Sequence, residues 1–254
     1  AKIAAIEGLW ETEKGGTALN LVGLPDMQAE TTRYAIQVPH LGSLILTHSW
    51  DGEIRGLKEF APQDRPYSPV VFWTFRIMAG LGMLMLLTAL AIRLESPGPV
   101  FYRQERVGQH GRVFRLFKFR SMSVDAEKGG PRLAVPSDPR VTRVGRFIRL
   151  TRIDEMPQAS NELPGDIALI SPRPERPTFV EHLSAVIPHY ASRSAVRPGI
   201  TGWAQINYPY GASVEDARNK LAYDLYYLRH RSLALDCAIV LGTVRVILLQ
   251  EGAR

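Results

Sequence analysis

The sequence predicts a mostly helical α+β protein with one membrane helix ahead of its larger part. Three observations carry that expectation. Val70 to Ile92 reads VVFWTFRIMAGLGMLMLLTALAI, with Arg76 as its single charge, and about 20 apolar residues suffice to cross a bilayer. Two short alternating runs, PVFYRQ and RVFRLFKF, flank the glycine-containing GQHG in the pattern of a β-hairpin. Beyond them, apolar residues recur at helical spacing through most of the chain. A buried core helix is the competing reading of the apolar run, although such helices usually keep a polar stripe that this one lacks.

Composition narrows the function classes. With 254 residues, 45% of them hydrophobic, the chain is long enough for one sizeable core or two modest ones and is not a disordered protein. The net charge of +6 is unevenly placed: residues 1–69 hold 6 basic and 9 acidic groups, whereas residues 95–254 hold 23 and 16. Of those 23 cations 20 are arginine, whose planar fork suits phosphate oxygens better than an ammonium does; a GC-rich genome gives the same bias. The single cysteine, Cys237, excludes an internal disulfide framework and a cysteine-based zinc site. The six histidines show no metal-ligand spacing; His182 and His189 read as surface or packing residues.

Residues 1–69 read mostly as loop with short amphipathic pieces. Lys2 and Glu7 stand five apart, a poor match to the three-or-four spacing that lets helix side chains pair, so solvated charges are expected. The chain begins at Ala1, with neither Met nor a signal-peptide pattern, which leads us to expect a cut or joined product. After the apolar run come Arg93, Arg103, Arg106, Arg112 and Arg115, against only Lys58 and Arg65 before it, and this bias places residues 95–254 in the cytoplasm. The glycines of RVGQHG are too few and wrongly spaced for a phosphate-cradling loop. Next, Val141, Val144, Phe147 and Ile148 share a helix face while Arg143, Arg146 and Arg149 line another. Such a helix suits an anionic lipid surface, and equally a core helix with a solvated basic face.

LTRIDEMPQ then sets Asp154 beside Glu155 in this basic neighbourhood. Pro157 fits the first turn of a new helix, which makes Asp154 a candidate N-cap whose carboxyl the helix donors and arginines hold low. A plain cap is one reading. The other is a carboxylate nucleophile that attacks a phosphoryl group and forms an aspartyl phosphate. A carboxylate and a diphosphate repel, and Mg²⁺ and arginines let them meet. Further on, Arg173 lies between Pro172 and Pro174, and Arg197 precedes Pro198-Gly199, with Gly202, Trp203 and Gln205 close behind. Prolines of this kind fix where an arginine points. Tyr223, Tyr226 and Tyr227 read as core, and LALDCAIVLGTVRVILL as a packing or membrane-contacting helix.

Six motifs follow in order: SPGPVFYRQERVG, KFRSM, RIDEMPQ, SPRPERP, RPGITGWAQINYPYGASVEDA and YDLYYLRHRSLALD. Residues 94–254, which carry them, resemble the bacterial sugar transferases, the monotopic polyprenyl-phosphate phosphoglycosyl transferases of exopolysaccharide type. The resemblance implies transfer of a sugar 1-phosphate from a nucleotide diphosphate sugar to polyprenyl (undecaprenyl) phosphate, with Mg²⁺, at the cytoplasmic face of the bacterial inner membrane. It makes Asp154 the nucleophile and a metal ligand, with Glu155 its acidic partner and the base for the lipid phosphate. Lys118, Arg120, Arg149, Arg173 and Arg197 become the residues that hold phosphates and nucleotide.

Residues 1–92 resemble subunit I of cytochrome bd-type quinol oxidases, FWTFRIMAGLG included. By that resemblance Lys2 and Glu7 match residues of quinol oxidation and Met78 a haem ligand, but the partner histidines are missing. The expected organisation is therefore an oxidase-like, non-catalytic segment over 1–69, a membrane helix over 70–93 and a transferase domain over 94–254. Transferases of this type begin with a helix broken at a Ser-Pro in its middle; here Ser68-Pro69 lies at the start, and Ser171 stands where glycine is usual. An oxidase fragment joined to an inactive transferase is the alternative. Nucleic-acid binding has only the basic charge in its favour and no recognised motif.

Overall fold

The computed structural model describes residues 1–130, 138–208 and 213–249. The motif residues Pro209 to Ala212 lie outside them, as does Ser137. The chain divides into two compact units, Ala1–Leu86 and Leu87–Arg254.

The first unit is more ordered than its composition suggests. Helix α1 (Lys2–Glu7) stops at Gly8, whose left-handed backbone (φ 65°) returns its N–H to the carbonyls of Ala4 and Ala5. Strands β1 (Leu19–Asp26) and β2 (Thr31–Val38) pair antiparallel from Leu19 opposite Val38 to Asp26 opposite Thr31. The Asp26 carboxylate accepts from the N–H groups of Gln28 and Ala29 and so closes the turn. Helix α2 (Leu41–Thr47) follows. Ala4, Ala5, Leu9, Trp10, Ile54 and Leu57 form a buried cluster, where the sequence led us to expect mainly loop.

Helix α3 (Ser68–Glu95) begins inside this unit. Ser68 and Phe72 are fully buried. Arg76 donates to Glu7 Oε2 at 2.7 Å and, through Nε, to the Asn20 carbonyl at 2.8 Å, while Asn20 Nδ2 donates to the Glu7 carbonyl at 2.7 Å. Glu7 is therefore a buried, paired acid and not a solvated helix charge; tertiary contact with α3 overrides the local spacing. Lys2 remains exposed. From Ile77 onward the helix shows its apolar side chains to the surroundings: Met83, Leu86, Leu87, Leu90 and Leu94 are all more than half exposed. Pro62–Glu95 is long and apolar enough to cross a membrane, with 11% of its most apolar window buried, so it is not a core helix.

In the second unit, β3 (Phe101–Val107) and β4 (Val113–Phe119) form the expected hairpin, in register from Phe101 opposite Phe119 to Val107 opposite Val113. Helix α4 (Arg143–Leu150) buries Ile148 and Gly145 but leaves Phe147 and Leu150 exposed beside Arg143 and Arg146. A 3₁₀ turn, Ile153–Gln158, runs into α5 (Ala159–Glu162). Strands β5 (Ala168–Ile170) and β6 (Gly199–Thr201) pair parallel, with α6 (Pro177–Val186) between them in the chain. Helices α7 (Trp203–Asn207), α8 (Val214–His230) and α9 (Leu233–Leu248) complete a mixed α+β architecture. A capping box between Ser213 and Asp216 starts α8. Of its tyrosines Tyr227 is core, whereas Tyr226 is exposed and stacks on Trp203 and His230. Helix α9 buries only Ile239 and exposes Leu233, Leu241 and Leu248.

Candidate active site

The acidic pair sits at an abrupt change of direction. Helix α4 ends at Thr151, and Arg152 adopts a left-handed backbone (φ 60°) that turns the chain into the 3₁₀ segment. A non-glycine residue there costs roughly 1–2 kcal/mol, and such strain collects at functional sites. Arg152, not Asp154, occupies the N-cap, and Asp154 lies inside the first turn. The expected capping role is therefore corrected: the break falls two residues early.

Four of the seven residues singled out from the sequence converge around Asp154. Lys118, on β4, donates to Glu155 Oε1 at 2.8 Å. Arg173 grips the same carboxylate with both terminal nitrogens, Nη2 on Oε1 and Nη1 on Oε2 at 3.4 Å. Asn161 explains the approach of β4: its side chain accepts from the Phe117 N–H and donates to the Arg115 carbonyl at 2.7 Å, tying α5 to the strand. Arg173 is steadied by Arg193, which donates to its carbonyl at 2.9 Å, and by the Ile200 carbonyl, which it shares with Gln205 Nε2. Pro172 and Pro174 hold the loop, in keeping with the expected fixed arginine. Asn161 and Arg193 carry no local sequence signal for these roles, because Phe117, Arg115 and Arg173 lie 20 to 46 residues from them.

The electrostatics divide the pair. Arg173 and Lys118 drive Glu155 far below the usual carboxylate range, overcoming the burial that opposes them. Asp154 moves the other way: burial, then the adjacent Glu155, raise its carboxyl despite Lys118, Arg149 and Arg173. The sequence led us to expect a lowered Asp154, but two of the three cations are spent on Glu155. Among the described residues no hydrogen bond reaches the Asp154 carboxylate. Arg149, whose charge acts on Asp154, has a buried Nη1 with no partner. A buried guanidinium nitrogen left unmatched is costly unless a ligand completes it.

Arg120 and Arg197 lie elsewhere. Arg120 is 6% exposed and donates to the carbonyls of Ser96 and Pro97 and to Ser96 Oγ, all within 2.9 Å. Both its terminal nitrogens are committed at the exit of α3, while its buried Nε has no partner among the described residues. Arg197 lines an open cavity of about 320 Å³ with Gln109, Ala168, Ile170, Ser171, Val196 and Arg231. Ser171, buried there, fits closely: a Cβ at Gly199 or Gly202 would strike its backbone.

Divalent metal chemistry has a limited foothold. Among the described residues no three His, Cys, Asp or Glu side chains gather to hold an ion. Asp154 offers an uncommitted carboxylate, while both Glu155 oxygens are engaged. Mg²⁺ is commonly held by one or two carboxylates together with substrate phosphates, and this donor set fits that shared arrangement and not a closed protein cage.

Comparison with known proteins places these features. The chain belongs to the bacterial sugar transferase family, which it matches over residues 70–250. Residues 1–122 also match cytochrome bd terminal oxidase subunit I, so the two likenesses overlap across α3 and the hairpin. One relative is UDP-N-acetylgalactosamine-undecaprenyl-phosphate N-acetylgalactosaminephosphotransferase of Aeromonas hydrophila, 53% identical over 67% of this chain and 40% of its own length. Two others are UDP-glucose:undecaprenyl-phosphate glucose-1-phosphate transferases. That of Escherichia coli K12 is 37% identical over 85% of this chain and 49% of its own length. That of Caulobacter vibrioides is 44% identical over 67% and 64%. The chain thus spans less than two thirds of each of these relatives.

Proposed function

We propose that this chain transfers a sugar 1-phosphate from a UDP-sugar to undecaprenyl phosphate, at the cytoplasmic face of the bacterial inner membrane, and so initiates polysaccharide assembly. The carrying observation is the buried Asp154, whose carboxylate accepts no hydrogen bond among the described residues and feels the charges of Lys118, Arg149 and Arg173, with Arg149 Nη1 itself unmatched among them. A buried anion with no donor of its own is a nucleophile that has only to be approached. The exposed apolar length of α3 and the arginine excess that follows it support the membrane and its cytoplasmic side.

In this reading the Asp154 carboxylate attacks the phosphorus that bears the sugar, and the bond to the nucleoside monophosphate breaks, its electron pair leaving with that phosphate. An oxygen of undecaprenyl phosphate then attacks the same phosphorus, the bond to Asp154 breaks, and the carboxylate is restored. Lys118 and Arg173 change partners in the cycle. The phosphoryl group carried on Asp154 draws them off Glu155, whose carboxyl then rises, accepts a proton from the lipid phosphate and yields it to water when the two cations return. Arg149 Nη1 meets a phosphate oxygen. Asp154 would hold a Mg²⁺ ion, which would supply charge neutralisation when bound. Arg197 and Arg231, across the open cavity, receive the nucleotide end of the donor; Arg120 is left out of phosphate binding.

The test is release of UMP from UDP-sugars by the membrane-reconstituted chain, with undecaprenyl phosphate present and absent. Acceptor-dependent turnover, plus a hydroxylamine-sensitive phosphosugar adduct on Asp154 when the acceptor is withheld, is expected. Failure of every UDP-sugar to yield either overturns the proposal. The oxidase-like segment is proposed to be non-catalytic, because Glu7 is closed off by Arg76 and Met78 is 61% exposed on α3; a haem needs two axial ligands and an enclosing pocket. A Soret band in the purified protein contradicts that assignment.

A further inference from the structure

The last turn of α3 is fastened to the helix that carries Arg149. Glu95 Oε1 accepts from the Arg143 N–H at 2.7 Å and Oε2 from the Val144 N–H at 3.0 Å. Thr142 Oγ1 takes the Gly145 N–H, the Thr142 carbonyl takes Arg146, and the Ser121 carbonyl takes Thr142 itself. The opening donors of α4, which every helix leaves unmet, are therefore completed jointly by its own cap and by a carboxylate 48 residues upstream. A negative group is also favoured at that end of the helix dipole.

The same junction is gripped from β4. Arg120 holds the carbonyls of Ser96 and Pro97, and Gly98, at φ +119°, passes so close that a Cβ would stand 2.8 Å from the Arg120 guanidinium. At α4, a Cβ on Gly145 would fall 1.9 Å from the Ser121 carbonyl. Both glycines mark backbone that has no room to shift. Between these fixed points α4 runs for eight residues, exposing Phe147 and Leu150 and delivering Arg149 toward Asp154.

We infer that Glu95 is a positioning residue: it registers the exit of the apolar helix against α4, and so sets the height of Arg149 and Asp154 above the lipid that carries the acceptor. The inference rests on the transferase reading for its kinetic consequence, though not for its geometry. The two half-reactions separate the roles, since a nucleotide sugar arrives from water and its reaction needs no register with the bilayer. Acceptor phosphate, held at the membrane surface, does need it.

The experiment uses the full chain in phosphatidylethanolamine–phosphatidylglycerol nanodiscs, as wild type, Glu95→Ala and Glu95→Asp. In Glu95→Ala, adduct formation from UDP-sugar without acceptor should stay within about twofold, while KM for undecaprenyl phosphate rises and transfer falls about tenfold. Glu95→Asp, which keeps the carboxylate, should recover part of the transfer. An equal loss of both half-reactions, or no loss in either, overturns the positioning role. Amide hydrogen exchange gives a second readout independent of activity: Arg143 and Val144 should exchange faster in Glu95→Ala while Phe119 and Leu116 do not change. Unchanged exchange at Arg143 and Val144 overturns the clamp. If the wild type makes no adduct and transfers nothing, the transferase reading fails, and exchange alone decides the clamp.

Discussion

Each unit of this protein buries charge, and the two do so differently. In residues 1–86 Glu7 meets Arg76 at 2.7 Å, Asn20 braces both, and Phe72 lies under the guanidinium at 4.5 Å. In residues 87–254 Glu155 is matched twice, whereas Asp154 accepts no hydrogen bond among the described residues and Arg149 keeps an unmatched nitrogen. The first is a closed structural ion pair. The second leaves hydrogen-bonding capacity unused, which the proposed function assigns to a substrate phosphate. Buried charge alone therefore does not mark a site; an acid that accepts no hydrogen bond next to a paired one is what sets the second cluster apart.

The largest break in this contrast is Asp154→Asn. Losing the attacking anion should lower adduct formation and turnover at least about a thousandfold, roughly 4 kcal/mol on the barrier, in a protein that folds normally. The folded-state carboxyl of Asp154 is raised, so the folded chain binds that proton more tightly than the unfolded one, and ionised Asp154 costs stability once pH exceeds its unfolded value. Asn removes that cost, and the midpoint of thermal unfolding at neutral pH should hold or rise. Near-normal turnover in folded Asp154→Asn would falsify the nucleophile assignment.

Glu7→Gln should do the reverse. Leaving Arg76 without its buried anion should destabilise the first unit by about 3 kcal/mol, read by urea unfolding of its tryptophan signal, while adduct formation at Asp154 is kept. A matching loss of adduct would erase the distinction between the two charge clusters. Arg149→Met comes next: if Nη1 serves a substrate phosphate, kcat/KM for the UDP-sugar should fall by about 1.5–3 kcal/mol, the worth of a hydrogen bond to a charged group. An unchanged kcat/KM would return Arg149 to a structural role.

The smallest effect sharpens the pair itself. Adduct formation requires ionised Asp154, so its rate should fall as pH drops through a pKa above the ordinary aspartate value. Glu155→Gln removes a like charge and releases Lys118 and Arg173, both of which favour the anion, and the acid limb should move to lower pH. A limb that stays in place would mean that Glu155 does not act on Asp154.

What the sequence disclosed follows the range of the forces involved. The β3–β4 hairpin and the apolar helix were legible because alternation and length are local properties. The motif and the flanking prolines singled out Asp154, Glu155 and Arg173, and the structure brings Arg173 onto Glu155, next to Asp154. The cap was placed wrongly, since nothing local shows that Arg152 will take a left-handed backbone. Arg120 was read as a phosphate ligand, yet its three acceptors lie 23 and 24 residues upstream. The core of residues 1–86 escaped notice for the same reason: Leu57 and Lys58 bond to Leu9 and Trp10 through the backbone, across a distance that no periodicity records.

The hold on the end of α3 is made by backbone carbonyls, by Glu95 and by the turn at Gly98, and within 87–95 the side chains buried are Thr88 and Ile92 alone. Residues 87–254 thus hold this helix by its last turn and bury little of the rest of it. Residues 70–122 match both family models, so the two likenesses meet on the helix whose end this hold secures.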